Sequence, residues 1–347
     1  MQQIIYTTQL TTDLEAAIHR EGTPDRVVLL TDETTHELCR PLLDAWKTEI
    51  DEIVIGATDV HKTLETLANV WTGLQKYGAT RHSLLINLGG GMVTDLGGFA
   101  AATFKRGIRF INIPTTLLAM VDAAVGGKTG INFGGLKNEI GNFRDAETVM
   151  VCTEFLRTLD DQNLRSGYAE MLKHALLSDA EMWARHLNFN LANPDFIQLQ
   201  GLVEESISLK QRIVTEDPHE RGLRKALNLG HTVGHAFESL MMEDNHPVLH
   251  GYAIAWGMVC ELFMSTALLG FPEDRLRQTV RFIFNYYGRP TFCCDDYKRL
   301  FELMLHDKKN LGTTINFTLL SNIGEIVLDQ QADRQLINDA FDFLREA

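Results

Sequence analysis

Residues 1–150 alternate short apolar runs with amphipathic ones, and this alternation limits the folds open to the chain more than any other feature. Segments 4–6, 26–30, 52–55, 83–88 and 110–113 are short and rich in Ile, Val and Leu, so they read as strands. Segments 11–20, 34–47, 60–77 and the stretch after the Gly89-Gly90-Gly91 triplet to about 103 read as helices, with Pro41 a kink or a new start. Strands alternating with helices build a parallel sheet with helices on both faces, a Rossmann-like arrangement. Beyond residue 155 the texture changes. Helical patterns dominate at 161–178, 195–215, 229–242, 250–270, 273–286 and 330–346, and a hairpin is expected from 315–320 and 325–328 around Gly324. The expectation is an α/β domain over 1–155 followed by a mainly α-helical, metal-binding domain over 156–347, with no repeat and no linker rich in Ser or Pro.

In an open parallel sheet, ligands bind beyond the carboxyl ends of the strands. Asp32 ends one strand, where a carboxylate can take ribose hydroxyls or simply cap the next helix. Gly89-Gly90-Gly91 ends another and lets backbone approach a pyrophosphate at a helix N-terminus, although a tight turn explains it equally. Asp95, four residues on, faces either ligand or solvent; Lys62, with Asp59, opens the third helix, where a solvated helix end is the plainer reading. Residues 115–144 are expected to form a long anion-handling loop, with Lys128 and Lys137 among Gly126, Gly127, Gly130, Gly134 and Gly135. Gly127-Lys128-Thr129 is not a P-loop, because that spacing needs glycine where Asp122 stands.

In the second half, Asn228-Leu-Gly-His-Thr-Val-Gly-His-Ala-Phe-Glu238 places His231 and His235 four residues apart on one helix face. With His250 and Glu170 they make a donor set suited to Zn²⁺, though a lone pair of this spacing is often only a polar face. Glu170 and Lys173 share a face; Lys210, Arg224 and Lys308-Lys309 add cations that suit an acidic ligand near a metal or, taken singly, solvated surface charges. The net charge of −14, at 45% hydrophobic and 22% charged residues, speaks against nucleic acid or an anionic membrane as partner. Cys39, Cys152, Cys260, Cys293 and Cys294 form no disulfide framework, which suits a cytoplasmic protein. No basic and then apolar leader opens the chain, and no run of about 18 apolar residues suggests a membrane span.

Taken together, these stretches resemble the 3-dehydroquinate synthase family over nearly the whole length. The matching segments are Gly89-Gly-Gly-Met-Val-Thr-Asp95, Pro114-Thr-Thr-Leu-Leu-Ala-Met-Val-Asp122, Gly126-Gly-Lys-Thr-Gly130, Lys137-Asn138, Arg165-Ser-Gly-Tyr-Ala-Glu-Met-Leu-Lys173, Leu227 to Glu238, His250-Gly251 and Asp307-Lys-Lys309. The resemblance implies an NAD-binding domain, a metal-binding domain and an active site in the cleft between them. It makes Glu170, His231 and His250 the ligands of Zn²⁺, with Co²⁺ as an alternative, and moves His235 from the metal to proton handling. Asp122, Lys128, Asn138, Lys173, Lys210, Arg224, Asn228, His235 and one of Lys308 and Lys309 match substrate-binding positions; of these Lys128, Asn138, Lys173, Arg224, Asn228 and His235 are implied in catalysis. Asp32, Asp59, Lys62, Gly90, Gly91, Asp95, Thr115, Thr116, Lys128 and Lys137 match NAD-contacting ones. Arg106 matches an arginine lent across a homodimer interface. Three positions depart from the pattern: Tyr252 replaces a usual Glu, Ala124 a frequent Ser, and Asp59 a common Glu.

The implied reaction is the second step of the shikimate pathway, toward chorismate and the aromatic amino acids. A small anionic sugar phosphate, 3-deoxy-D-arabino-heptulosonate 7-phosphate, would be oxidised transiently by NAD⁺, lose phosphate, be reduced again and close by an internal aldol step to 3-dehydroquinate. Another sugar-phosphate cyclase and a metal-dependent alcohol dehydrogenase of related architecture are the alternatives.

Overall fold

The computed structural model describes residues 2–305 and 315–346, and the chain divides into two units, Met1–Asp160 and Asp161–Ala347. The division falls a few residues beyond the expected 155, just where the first long helix begins.

In the first unit β1 (Gln3–Tyr6), α1 (Leu10–His19), β2 (Val27–Asp32), α2 (Glu33–Leu38), β3 (Asp51–Ile55), α3 (Leu64–Lys76), β4 (Leu84–Gly89), α4 (Gly91–Thr103) and β5 (Arg109–Pro114) follow the expected alternation. The hairpin β6 (Lys128–Phe133) and β7 (Leu136–Phe143) comes next, and then β8 (Thr148–Val151). Six strands form one parallel sheet in the order β1-β8-β5-β4-β2-β3. Every residue of β2 and of β4 is buried, which is why both read as unbroken apolar runs. The chain leaves β2 for the edge strand β3 and returns on the other side of β2 as β4, so a change of direction lies between them.

Three expectations need correction here. The long loop at 115–144 contains a turn of π-helix, Ala119–Ala123, and the β6–β7 hairpin. Phe133 pairs with Leu136 across Gly134 and Gly135, whose φ values of 60° and 83° are those a two-residue hairpin turn demands. The helix expected from 60 begins at Leu64, because the Thr63 side chain caps it and Asp59–His61 is a separate 3₁₀ turn. The helix expected over 34–47 stops at Leu38, and Pro41 sits in a new 3₁₀ turn, Arg40–Leu43.

The second unit contains α5 (Asp161–Ser178), α6 (Ala180–Leu187), α7 (Phe196–Glu216), α8 (His231–Glu243), α9 (His250–Leu269), α10 (Glu273–Tyr287) and α11 (Tyr297–Leu305). The antiparallel pair β9 (Phe317–Asn322) and β10 (Glu325–Gln330) follows, turning at Gly324, and α12 (Arg334–Glu346) closes the unit. Helices α6 and α11 escaped the periodicity reading because each is barely two turns long; Asp179 nevertheless marks the first, accepting the N–H groups of Glu181 and Met182. Contrary to the sequence reading, α9 is by length and composition long and apolar enough to cross a membrane. It is a core helix, with Ala253–Leu262 buried without a break, and it carries a buried carboxylate, Glu261.

Two contacts bring the helices of this unit unusually close. A methyl group at Gly257 of α9 would lie 2.0 Å from the Gly230 carbonyl oxygen, and one at Gly251 would lie 1.9 Å from that of Ser166 on α5. Only hydrogen fits at both places, so the backbones of α5, α9 and the start of α8 are drawn together around whatever their side chains hold.

Candidate active site

In the first unit β5, β4 and β2 are neighbours, so their carboxyl ends bring Pro114-Thr115-Thr116, Gly89-Gly90-Gly91 and Asp32 side by side. The Thr115 N–H donates to the Gly89 carbonyl at 3.0 Å. Gly90 stands at the N-cap of α4 with no side chain to cap it, so the first N–H groups of the helix lie at the carboxyl end of β4, the place where such helices take an anion. The capping alternative holds for Asp32: its Oδ1 accepts the Thr35 N–H at 2.7 Å while the Thr35 hydroxyl accepts the Asp32 N–H.

Lys62 is no solvated helix end. It is 3% exposed, and its ammonium donates to Asp95 Oδ2 at 2.6 Å and to Asn138 Oδ1. Asp95 therefore faces Lys62, and burial pushes its carboxyl up against the pull of that ammonium. Asn138 holds a left-handed φ of 51° and donates its N–H to Asn132 Oδ1, while Asn132 Nδ2 reaches Asp59 Oδ2 at 3.1 Å and Lys137 approaches the same oxygen at 3.9 Å. Lys62, Asp59, Asp95, Asn138 and Lys137 are thus one polar cluster, with Asn132 as a member that the sequence did not single out. Lys128 opens β6 and is exposed, and Asp122 lies in the π-helical turn. Arg106 stands apart, exposed at the end of the unusual turn Lys105-Arg106-Gly107, all three left-handed.

In the second unit Glu170 and Lys173 lie one turn apart on α5, 0% and 1% exposed, and the Lys173 ammonium donates to Glu170 Oε2. The other oxygen, Oε1, is 3.5 Å from His231 Nε2 and 3.7 Å from His250 Nε2. His231 is the first residue of α8 and His250 the first of α9. The far nitrogens are committed. His231 Nδ1 lies 3.2 Å from the Leu229 carbonyl, which can only accept, so that nitrogen carries the proton. His250 Nδ1 lies 3.1 Å from Glu238 Oε2. Both Nε2 atoms are turned toward Glu170, the donor set a tetrahedral divalent ion requires once His250 has given up its Nε2 proton. Burial lowers the pKa of His250, but Glu238 and Glu170 outweigh it and lift it to about 10, so an ion binding there displaces a proton. His235 joins the group: it, His231 and His250 each offer a nitrogen within 4.8 Å of the others. Geometry alone leaves His235 as an additional donor.

Lys210 on α7 and Arg224 are buried at 5% and 2% exposure. The segment before α8 is folded on Asp217, which accepts the N–H groups of Arg221, Gly222 and Arg224; those backbone donors, Arg221 first, hold its carboxyl below the usual range. Arg224 Nη1 donates to the Pro218 carbonyl at 2.7 Å, and Asn228 Nδ2 to Glu220 Oε1 at 3.0 Å. Lys308 and Lys309 lie outside the described residues. Tyr252, one of the three departures from the family pattern, packs edge-on against Tyr287 at 5.2 Å and Trp256 at 6.4 Å. Sequence reasoning passed over Glu238 and Glu261, whose signals are the spacing from His231 through His235 to Glu238 and a lone carboxylate in the most apolar helix.

Known proteins bear on this arrangement. The family model described as 3-dehydroquinate synthase N-terminal matches residues 52–166, and that described as 3-dehydroquinate synthase C-terminal matches 167–310. A 3-dehydroquinate synthase of Parabacteroides distasonis is 52% identical over 326 residues, spanning 93% of this chain and 92% of its own. That of Pyrococcus furiosus is 36% identical over 93% of this chain and 94% of its own. Among solved structures, a 2-epi-5-epi-valiolone synthase from Streptomyces hygroscopicus with NAD⁺ and Zn²⁺ bound superposes with a TM-score of 0.87 at 24% identity, covering 100% of this chain and 97% of its own. A 2-deoxy-scyllo-inosose synthase complexed with carbaglucose-6-phosphate, NAD⁺ and Co²⁺ superposes at 0.85 and 21% identity, covering 97% and 95%. At those identities the two structures speak for the fold alone.

Proposed function

The chain belongs to the 3-dehydroquinate synthase family, and from that premise we infer how its own residues share the reaction. It is an enzyme that converts 3-deoxy-D-arabino-heptulosonate 7-phosphate to 3-dehydroquinate and phosphate. The observation that carries the site reading is the buried Glu170 oxygen facing two imidazoles whose other nitrogens are already engaged. In that reading Glu170, His231 and His250 hold Zn²⁺, or Co²⁺, and the ligand end of β2, β4 and β5 holds NAD⁺. The groups bound would supply Lewis acidity and a hydride acceptor that returns its hydride, so NAD⁺ is not consumed.

The remaining work falls to side chains. In the second unit Lys210, Arg224 and Lys173 are the cations for a substrate carboxylate or phosphate and Asn228 an amide for its hydroxyls; in the first, Lys128, Asp122 and Asn138 are the substrate-binding candidates. Burial strengthens such contacts, because water does not compete for a cation 2% or 5% exposed. Lys173 also neutralises one Glu170 oxygen and keeps the carboxylate turned toward the histidines. His235, one turn along α8 from His231, moves a proton to and from the substrate hydroxyl. Lys62 joins the NAD side to Asn138 and so sets that amide's orientation. We further propose a homodimer to which Arg106 lends its exposed guanidinium: backbone strain of about 1–3 kcal/mol per left-handed non-glycine residue is tolerated where function needs it. A reducing, cytoplasmic setting agrees with five free cysteines.

The test is phosphate release with NAD⁺ present at far below the substrate concentration. Many phosphates per NAD⁺, abolished by a chelator and restored by Zn²⁺, are expected. NADH accumulating without phosphate would make the chain a dehydrogenase, and no phosphate from this substrate would require a different cyclised sugar.

A further inference from the structure

We propose that Glu238 is the positioning residue of the metal centre, fixing the tautomer and ring orientation of His250 through Nδ1. Glu238 follows His231 and His235 on α8 by seven and three residues, so the three side chains occupy one helix face. It is 8% exposed, and its Oε2 stands 3.1 Å from His250 Nδ1. That nitrogen is on the side of the ring away from Glu170, so Glu238 acts on His250 from behind and is not itself placed among the donors.

The two histidines are held differently. His231 is oriented by a backbone carbonyl, Leu229, two residues before it, and no side-chain substitution removes that partner. His250 is oriented by a carboxylate brought from another helix, so its alignment depends on the packing of α8 against α9. A carboxylate behind an imidazole selects the tautomer with the proton on Nδ1, leaves Nε2 free to bind and raises its basicity. Loss of such a partner typically costs ten- to a hundred-fold in metal affinity. On this reading the chain carries its metal affinity partly in a residue outside the donor set.

The proposal rests on the reading of Glu170, His231 and His250 as the metal site, and the test separates the two. The full chain, stripped of metal, is titrated with Zn²⁺ against a chromophoric chelator of known affinity, and NAD⁺ affinity is measured in parallel by fluorescence. Glu238→Ala is expected to weaken Zn²⁺ binding about 10- to 100-fold, and Glu238→Gln, which keeps the shape and an acceptor but not the charge, at least about threefold, both with parental NAD⁺ affinity. The Co²⁺ absorption spectrum of Glu238→Gln should shift as well, a change that a merely structural role would not produce. Parental Zn²⁺ affinity in either variant overturns the proposal. A parent that binds one Zn²⁺, lost in His231→Ala but parental in Glu238→Gln, leaves the site reading standing without it; a parent that binds none overturns both. If Glu238→Ala does not fold, the isosteric Gln variant decides.

Discussion

Glu170 and Lys173 lie buried together on α5, an arrangement stability alone does not favour. Taking two charges out of water costs about as much as their attraction returns. The metal site proposed above gives such a pair a reason: Lys173 holds the Glu170 carboxylate in place for a cation. His186 shows the opposite solution. It is 0% exposed, neither ring nitrogen has a hydrogen-bond partner among the described residues, and burial, with Arg185 assisting, depresses its pKa to about 3. The unfolded chain takes up that proton near pH 6.5, while the folded one resists until about pH 3. Stability from this residue is therefore intact above pH 6.5 and lost as pH falls toward 3. Between pH 7 and pH 5 the loss is about 2 kcal/mol, and His186→Leu should flatten that part of the curve in urea titrations at a series of pH values. A curve just as steep in the variant would assign the acid limb to other groups.

Among the elements, α8 is the one on which the site depends. It starts at His231 after Gly230, a residue with no side chain to cap the helix. The cap comes from α9: Glu261 accepts the Gly230 N–H at 2.6 Å and the Val233 N–H at 3.3 Å. A carboxylate at a helix N-terminus also meets the favourable end of the helix dipole. This accounts for a lone charge inside a helix otherwise apolar enough for a membrane. Glu261→Ala would leave two buried N–H groups unsatisfied and should lower stability by about 2–4 kcal/mol, read from chemical denaturation. Since the frayed turn carries His231, Zn²⁺ affinity should fall with it, whereas Glu261→Gln, retaining one acceptor, should fall between. Undiminished stability in Glu261→Ala would mean that water satisfies the helix end.

At the scale of the molecule, the NAD⁺ and metal sites proposed above fall in different units, and ligands should protect them separately. A ligand at a hundred times its Kd stabilises the folded state by about 2.7 kcal/mol, which slows exchange through global opening about a hundred-fold. In hydrogen-exchange mass spectrometry, Zn²⁺ should protect α5, the start of α8 and the start of α9, while NAD⁺ should protect the ends of β2, β4 and β5 and the first turn of α4. Protection by Zn²⁺ confined to the first unit would remove the metal site from Glu170, His231 and His250.

What was legible in the sequence was whatever depends on local spacing. The strand–helix alternation, the glycine triplet after β4, the helix bounds at 161–178 and the histidines four apart are all patterns within a few residues of one another, and each has a periodic or steric cause. Motif order also sufficed to pick the family, since it is a property of the chain and not of its folding. The hairpin hidden in 115–144 was misread because its glycines resemble a loop until Gly134 and Gly135 are seen closing a register. Tertiary structure alone decided the relations between distant residues: that Lys62 reaches Asp95 and Asn138, that Glu238 stands behind His250, and that Glu261 caps a helix whose N-cap, Gly230, lies thirty-one residues earlier. Such pairings follow from how close two backbones come, set for α9 against α5 and α8 by Gly251 and Gly257, and no local period records that distance.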